Sequence, residues 1–328
     1  MAKYDSLLAK IREIDASDRT DANKKRAYAA IAHAEIKKIR ATPTANGLPP
    51  SHGAVAERAS RTRGAVKAAM GEDHPAAVYF KLTKEEYRKS SDESAKKRAD
   101  KQDSPTRIKN WEAFIERAKE LIDSDKYVDV TIGLAMLTGR RIFELLGQPH
   151  ADIFPAPLDG NPLANCRYHV MFKGQAKTKE SEGIRSDSAY KIPVLADAKI
   201  VIAAFRRLRN DLAPHLAGKS SQELNAAISK YLGKRFSEKY GDLWPDGYKP
   251  SLRDLRALYA EISSRMFNGT SSNGEVKKPN RFYASILGHS PLDLNTANAY
   301  QVFVIGDYEP TDIIASIYAE KERGTCSE

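Results

Sequence analysis

Several side chains along the sequence are of types that could act together on a phosphate ester. Arg140 and Arg141 stand in LTGRRIFELL, where an apolar helix meets a glycine and restarts. Arg253 and Arg256 in RDLRALYA lie one turn apart on one helix face, while Leu255, Leu258 and Tyr259 face elsewhere and anchor it. His289 follows Gly288 in LGHSPLDLNTANAY, and Tyr300 closes that string on what reads as a new short helix. The stretch FKGQAKTKE adds Lys173, Lys177 and Lys179. A guanidinium is a planar fork of fixed charge and suits the non-bridging oxygens of a phosphodiester, which gain negative charge as phosphorus is attacked. An imidazole can donate to the same oxygens. A phenol with an ordinary pKa near 10 becomes a nucleophile once nearby cations favour its phenolate. Taken singly, each group also reads as a helix cap, a surface pair or a packing tyrosine.

Other chemistries find little support. There is no GxxxxGK[ST] phosphate loop, no HExxH, no GxSxG, and the seven histidines are scattered. Two cysteines, Cys166 and Cys326, make neither a disulfide framework nor a four-ligand zinc site, and a reducing cytosol is the expected compartment. No apolar run approaches the length of a bilayer span, and the first residues form an amphipathic pattern rather than a secretion signal. The chain has 328 residues and a net charge of +10, which suggests a polyanionic partner. Residues 1–105 carry 22 basic and 15 acidic groups, against 31 and 28 in residues 106–328, so the excess concentrates in the first third.

The elements that must position these groups are mainly helical. Tyr28, Ile31, Ala32, Ile36 and Ile39 recur at helical spacing, and a loop is expected over 41–50. A second helix, SHGAVAERASRTRGAVKAAM, alternates Arg58, Arg61, Arg63 and Lys67 with small residues that would let it approach a phosphate backbone closely. The polar stretch 89–105 reads as a linker, or as a helix tail running into one. Beyond it, 107–124 is amphipathic, 127–139 is a buried helix, and 198–212, 224–240, 251–267 and 311–322 are helical. RYHVMF (167–172) and YKIPVL (190–195) read as a β-hairpin with a long charged tip, and 267–280 as a loop. The fold class is mainly α with one small antiparallel β-sheet, in two domains, 1–105 and 106–328.

The order TGRR, hairpin lysine, RxxR, GH, then tyrosine resembles the tyrosine recombinase and integrase superfamily over about residues 106–305. TGRRIFEL is similar to its first arginine box, with Arg141 in the catalytic place and Glu144 in the usual supporting place. RDLRALYA is similar to the second box, with Arg256 as its arginine, and LGH with the later tyrosine to the third. Arg253 stands where the second box normally opens with His, and the interval from His289 to Tyr300 is longer than in ordinary recombinases. These departures, with GQAKTK, PVLADA and LRALYA, resemble the hairpin telomere resolvases, or protelomerases. Only 28 residues follow Tyr300, so an extra C-terminal DNA-binding domain is not expected.

That resemblance implies a helical N-terminal DNA-binding domain and a recombinase-like catalytic domain, closing a C-shaped clamp on DNA. It implies that Tyr300 forms a 3′-phosphotyrosyl bond while Arg141, Arg256, His289 and Arg253 stabilise the transition state. A hairpin lysine protonates the leaving 5′-oxygen, with Lys177 the first choice and Lys173 the second. Arg58, Arg61, Arg63, Lys67 and Arg140 are expected to bind DNA. No ATP and no metal are required, because the phosphotyrosine keeps the bond energy. The expected partner is double-stranded palindromic DNA bound by a homodimer in the bacterial cytoplasm, with no membrane partner. Helix 311–322 would pack in cis or dock on the other subunit. A conventional tyrosine recombinase and an inactive recombinase-like DNA-binding protein are the alternatives.

Overall fold

A computed structural model of the chain describes residues 4–44, 46–158, 161–176, 188–268, 279–289 and 297–305, without the side chains of 98, 162 and 163. Lys177, Lys179, most of 267–280 and helix 311–322 therefore lie outside the described residues. The chain divides into two compact units, Met1–Asp100 and Lys101–Glu328.

The first unit is all helical: α1 (Asp5–Asp15), α2 (Asp21–Ala41), α3 (His52–Met70), the single turn α4 (Ala76–Tyr79) and the start of α5 (Lys84–Asp103). The stripe on α2 buries Tyr28, Ala32, Ile36 and Ile39. Tyr28 and Ala32 pack with Leu7, Leu8, Ile11, Ile14, Val66 and Phe80. Ile36 and Ile39 meet Val55, Ala59 and Leu82. Ser51 caps α3 by accepting from Ala54 N at 3.2 Å. The polar stretch read as a linker or a helix tail is the helix tail, through Asp103. It contains no Gly or Pro before Pro105, and ion pairs one turn apart, Glu85–Lys89 and Glu93–Lys97, both at 2.9 Å, support it.

The second unit opens with strand β1 (Thr106–Ile108) and the antiparallel helices α6 (Glu112–Ile122) and α7 (Tyr127–Thr138). α6 buries Phe114, Ile115, Ala118, Leu121 and Ile122. α7 is buried on every face from Val128 onward, including Asp129. Asp129 is held there by Arg235, with Nε–Oδ1 at 2.5 Å and Nη2–Oδ2 at 2.7 Å. The short α8 (Ile142–Leu146) follows, then β2 (Asp152–Leu158), β3 (Asn161–Lys173) and β4 (Tyr190–Pro193), in sheet order β2-β3-β4. The expected hairpin is present, with Phe172 opposite Tyr190 and His169 opposite Pro193. β2 is an additional strand at the sheet edge. Its Pro155 and Pro157 obscure it in the sequence, yet an edge strand tolerates proline.

α9 (Ala198–Arg207), α10 (Ser221–Tyr240), α11 (Leu252–Phe267) and α12 (Pro279–Leu287) enclose the core, and β5 (Phe303–Ile305) ends the described chain. β5 pairs in parallel with β1, placing Thr106 opposite Phe303, so a two-stranded sheet adds to the antiparallel one. Phe303 lies against Trp244 and Tyr248, with ring centroids 5.5 and 5.9 Å away. Among the described residues no helix is long and apolar enough to cross a membrane.

Candidate active site

Three chain segments converge on Tyr300. The first is the break between α7 and α8. α7 ends at Gly139 with φ +65°, where a side chain would run into the Tyr259 ring, so the turn is reserved for glycine. Arg140 and Arg141 follow and diverge. Glu144, with no exposed surface, accepts from Arg141 N at 2.9 Å and Arg141 Nη1 at 2.6 Å. It also accepts from Ala176 N at 3.2 Å and lies 4.0 Å from Arg256 Nη1. Burial pushes its carboxyl up, but Arg256, Arg140 and Arg141 outweigh burial and bring its pKa down to about 2. A permanently ionised carboxylate thus orients two arginine boxes and the end of the lysine hairpin.

The second segment is α11. Its N-terminus is closed by Asp254, which accepts from Ser251 N at 2.6 Å. Arg256 is buried; it donates to Leu287 O at 2.8 Å, to Gly139 O, and through Nε to Tyr300 Oη at 3.2 Å. Arg253, one turn earlier and exposed, sits 5.8 Å from the centre of the Tyr300 ring.

The third segment begins at α12 and ends at Tyr300. Gly288 has φ +67°, and its carbonyl accepts from the buried side chain of Gln175. His289 donates its backbone N–H to Ala284 O at 2.8 Å and places its ring 5.8 Å from that of Tyr300. Tyr300 itself is buried, one turn after the fully buried Ala297. Burial disfavours its phenolate, but Arg256, Arg141 and Arg253 prevail, and its pKa lies below the usual value.

Arg141, Arg253, Arg256, His289 and Tyr300 thus come together. Lys173 ends β3 opposite Asp152, and Lys177 is outside the described residues. Arg140 is a correction. Expected to bind DNA, it is 1% exposed, donates to Thr138 O, Tyr190 Oη and Ile286 O, and lies over the Phe172 ring at 4.7 Å. Its place is inside, joining α7, β4 and α12. In the first unit Arg58 donates to Thr42 O at 2.6 Å and Pro43 O at 3.3 Å, closing the end of α2. Arg61 and Lys67 make exposed ion pairs with Glu57 and Glu72, which cost little to exchange for a phosphate, and Arg63 is half-exposed. Sequence reasoning missed Gln175 and Tyr190. Their only signal was their place at the two ends of the hairpin tip.

A family model described as the telomere resolvase ResT/TelK catalytic domain matches residues 106–303, the stretch that contains Arg141, Arg253, Arg256, His289 and Tyr300. The chain belongs to this family. The resolvase is a DNA cleaving-and-rejoining enzyme. It is similar to the solved structures of protelomerase TelA complexed with DNA hairpin product and of TelA covalently complexed with substrate DNA. In each case identity is 25%, the match covers 92% of this chain and 89% of the other, and the TM-score is 0.77. Protelomerase TelK complexed with substrate DNA shares the fold at 19% identity and a TM-score of 0.57, over 93% of this chain and 60% of that one. No curated protein matches.

Proposed function

We propose that this resolvase converts replicated, palindromic telomere DNA into covalently closed hairpin ends, with Tyr300 as the nucleophile. The observation that carries this reading is Arg256 Nε at 3.2 Å from Tyr300 Oη, in a cluster whose other cations also favour the phenolate. Tyr300 Oη gives its proton to solvent water and attacks phosphorus. The bond from phosphorus to the 5′-oxygen breaks, leaving a 3′-phosphotyrosyl and a 5′-oxygen that takes a proton from Lys177, or failing that Lys173. Arg141 and Arg256 donate to the non-bridging oxygens, and His289 and Arg253 add positive charge where the pentavalent centre gathers its negative charge. The 5′-hydroxyl of the opposite strand then attacks the phosphotyrosine, a hairpin forms, and the tyrosine is released. Each step exchanges one phosphorus–oxygen bond for another, so the reaction needs neither ATP nor a metal. A palindrome has two equivalent cut sites, which a two-fold homodimer matches with one subunit per strand. The first unit supplies phosphate contacts through Arg61, Arg63 and Lys67.

The test uses a plasmid carrying the palindromic target. Denaturing gels should show linear ends that snap back after heating, and Tyr300→Phe should lose both these ends and the covalent adduct while keeping DNA affinity within about twofold. Crossed-over circles would make the protein a conventional recombinase. An adduct in Tyr300→Phe would move the nucleophile to another tyrosine.

A further inference from the structure

Among the described residues, two backbone hydrogen bonds hold the turn that carries Tyr300 from within. Its internal hydrogen bonds are Tyr300 N to Ala297 O at 3.0 Å and Gln301 N to Asn298 O at 3.1 Å. Two tethers reach it from the opening residues of the second unit. Thr106 N donates to Val302 O at 2.9 Å, where β1 and β5 begin to pair. Four residues earlier, the half-buried Gln102 donates Nε2 to Asn298 O at 2.6 Å, across a separation of 196 residues. The first tether pins the chain after the tyrosine. The second pins it before, and it is the only side-chain hydrogen bond to this turn's backbone among the described residues.

We propose that Gln102 is a positioning residue for the nucleophile, holding the Asn298 carbonyl so that Tyr300 Oη stays within reach of Arg256. The proposal rests on Tyr300 as the attacking group. Gln102 lies in the last turn of α5, outside the three segments that supply the site, and acts only through the backbone. With Gln102 in place the backbone is tethered on both sides of the phenol; without it the Asn298 carbonyl loses that tether and the ring can shift within its packing. A displacement of about 1 Å costs about 10²-fold in rate. With β5 still paired, part of that loss is expected, about tenfold.

The experiment measures covalent adduct formation by the full-length chain on a short duplex of the target, under single turnover with protein in excess. Gln102→Glu keeps the size of the side chain but presents an acceptor to a carbonyl. It should form adduct about tenfold more slowly, with Kd for the duplex within twofold of the parent. Gln102→Ala should behave the same way. A 5′-bridging sulfur in the substrate should not restore either variant, because departure of the 5′-oxygen is not what they lack. Gln102→Arg, which returns an N–H donor at similar reach, should recover the rate to within about threefold. The proposal is overturned if Gln102→Glu cleaves at the parental rate. It is equally overturned if the deficit vanishes at higher protein concentration, or if Gln102→Glu and Gln102→Arg are slowed alike. Tyr300→Phe runs in parallel: an adduct there refutes the nucleophile assignment, whereas no adduct there with a fully active Gln102→Glu refutes the role of Gln102 alone.

Discussion

Replacing Glu144 by glutamine removes one negative charge from a site that holds three arginines and keeps almost the same shape. In the folded protein the carboxyl titrates at about 2, against an ordinary 4.5. A depression of that size corresponds to about 3 kcal/mol of stability at neutral pH, at about 1.4 kcal/mol per unit. Because the folded pKa is the lower one, this contribution is complete above about 4.5 and is lost as pH falls through about 2. Urea titrations of parent and Glu144→Gln should therefore differ by about 3 kcal/mol at pH 7 and by about 1 kcal/mol at pH 3. Taking the difference at each pH cancels the other carboxylates, which titrate in both proteins. Cleavage should fall as well, by about 10²-fold, because Arg141 and Arg256 lose the acceptor that orients them. A stability gap that does not narrow between pH 7 and pH 3, or a variant as stable and as fast as the parent, would refute the reading of Glu144 as the ionised centre of the site.

Arg140→Met should lose about 3–5 kcal/mol, since two carbonyls and the Tyr190 hydroxyl would be left buried without their donor, while the salt dependence of DNA binding stays unchanged in a stabilising buffer. A shallower salt slope with normal stability would return Arg140 to the DNA surface. If Lys177 is the general acid, Lys177→Ala should slow cleavage of an ordinary phosphodiester by about 10²–10⁴ and recover on a 5′-bridging sulfur, whose thiolate leaves without a proton. Arg256→Ala should not recover, and recovery by Lys173→Ala in place of Lys177→Ala would reassign the acid. Cleavage of a short duplex should proceed in EDTA without ATP; a strict need for Mg²⁺ would contradict phosphotyrosine chemistry.

The cluster around Tyr300 was legible because phosphoryl chemistry restricts residue type. A phosphoryl site needs fixed cations, so RxxR on a helix and a GH followed by a tyrosine stand out against an ordinary surface. Long periodic helices such as α2, α7 and α11 were legible for a similar reason, since burial dictates their apolar spacing. Arg140 and Arg141 show where this stops. They are neighbours of identical type, and only the left-handed turn at Gly139 sends one inward to Tyr190 and leaves the other beside Glu144. Composition made 89–105 look like a linker because its residues are polar on every face. The same residues are good helix formers with ion pairs in register, and these decide the matter. β1 and β5 are three residues each, too short for any period, and pair only because the chain returns to its own beginning.

That return sets an order on folding. Closing a loop of nearly the whole unit is entropically the most expensive kind of contact, and it is rewarded only after local helices and the hairpin have formed. Arg141 and Arg256 are held through Glu144 and Gly139 where α7, α8 and α11 meet, whereas the phenol is delivered by the pairing of residues 106–108 with 303–305. With Tyr300 as the nucleophile, a molecule frayed at that edge would keep its cations and lose the phenol beside them. It would bind DNA and leave the strands intact until the edge closes.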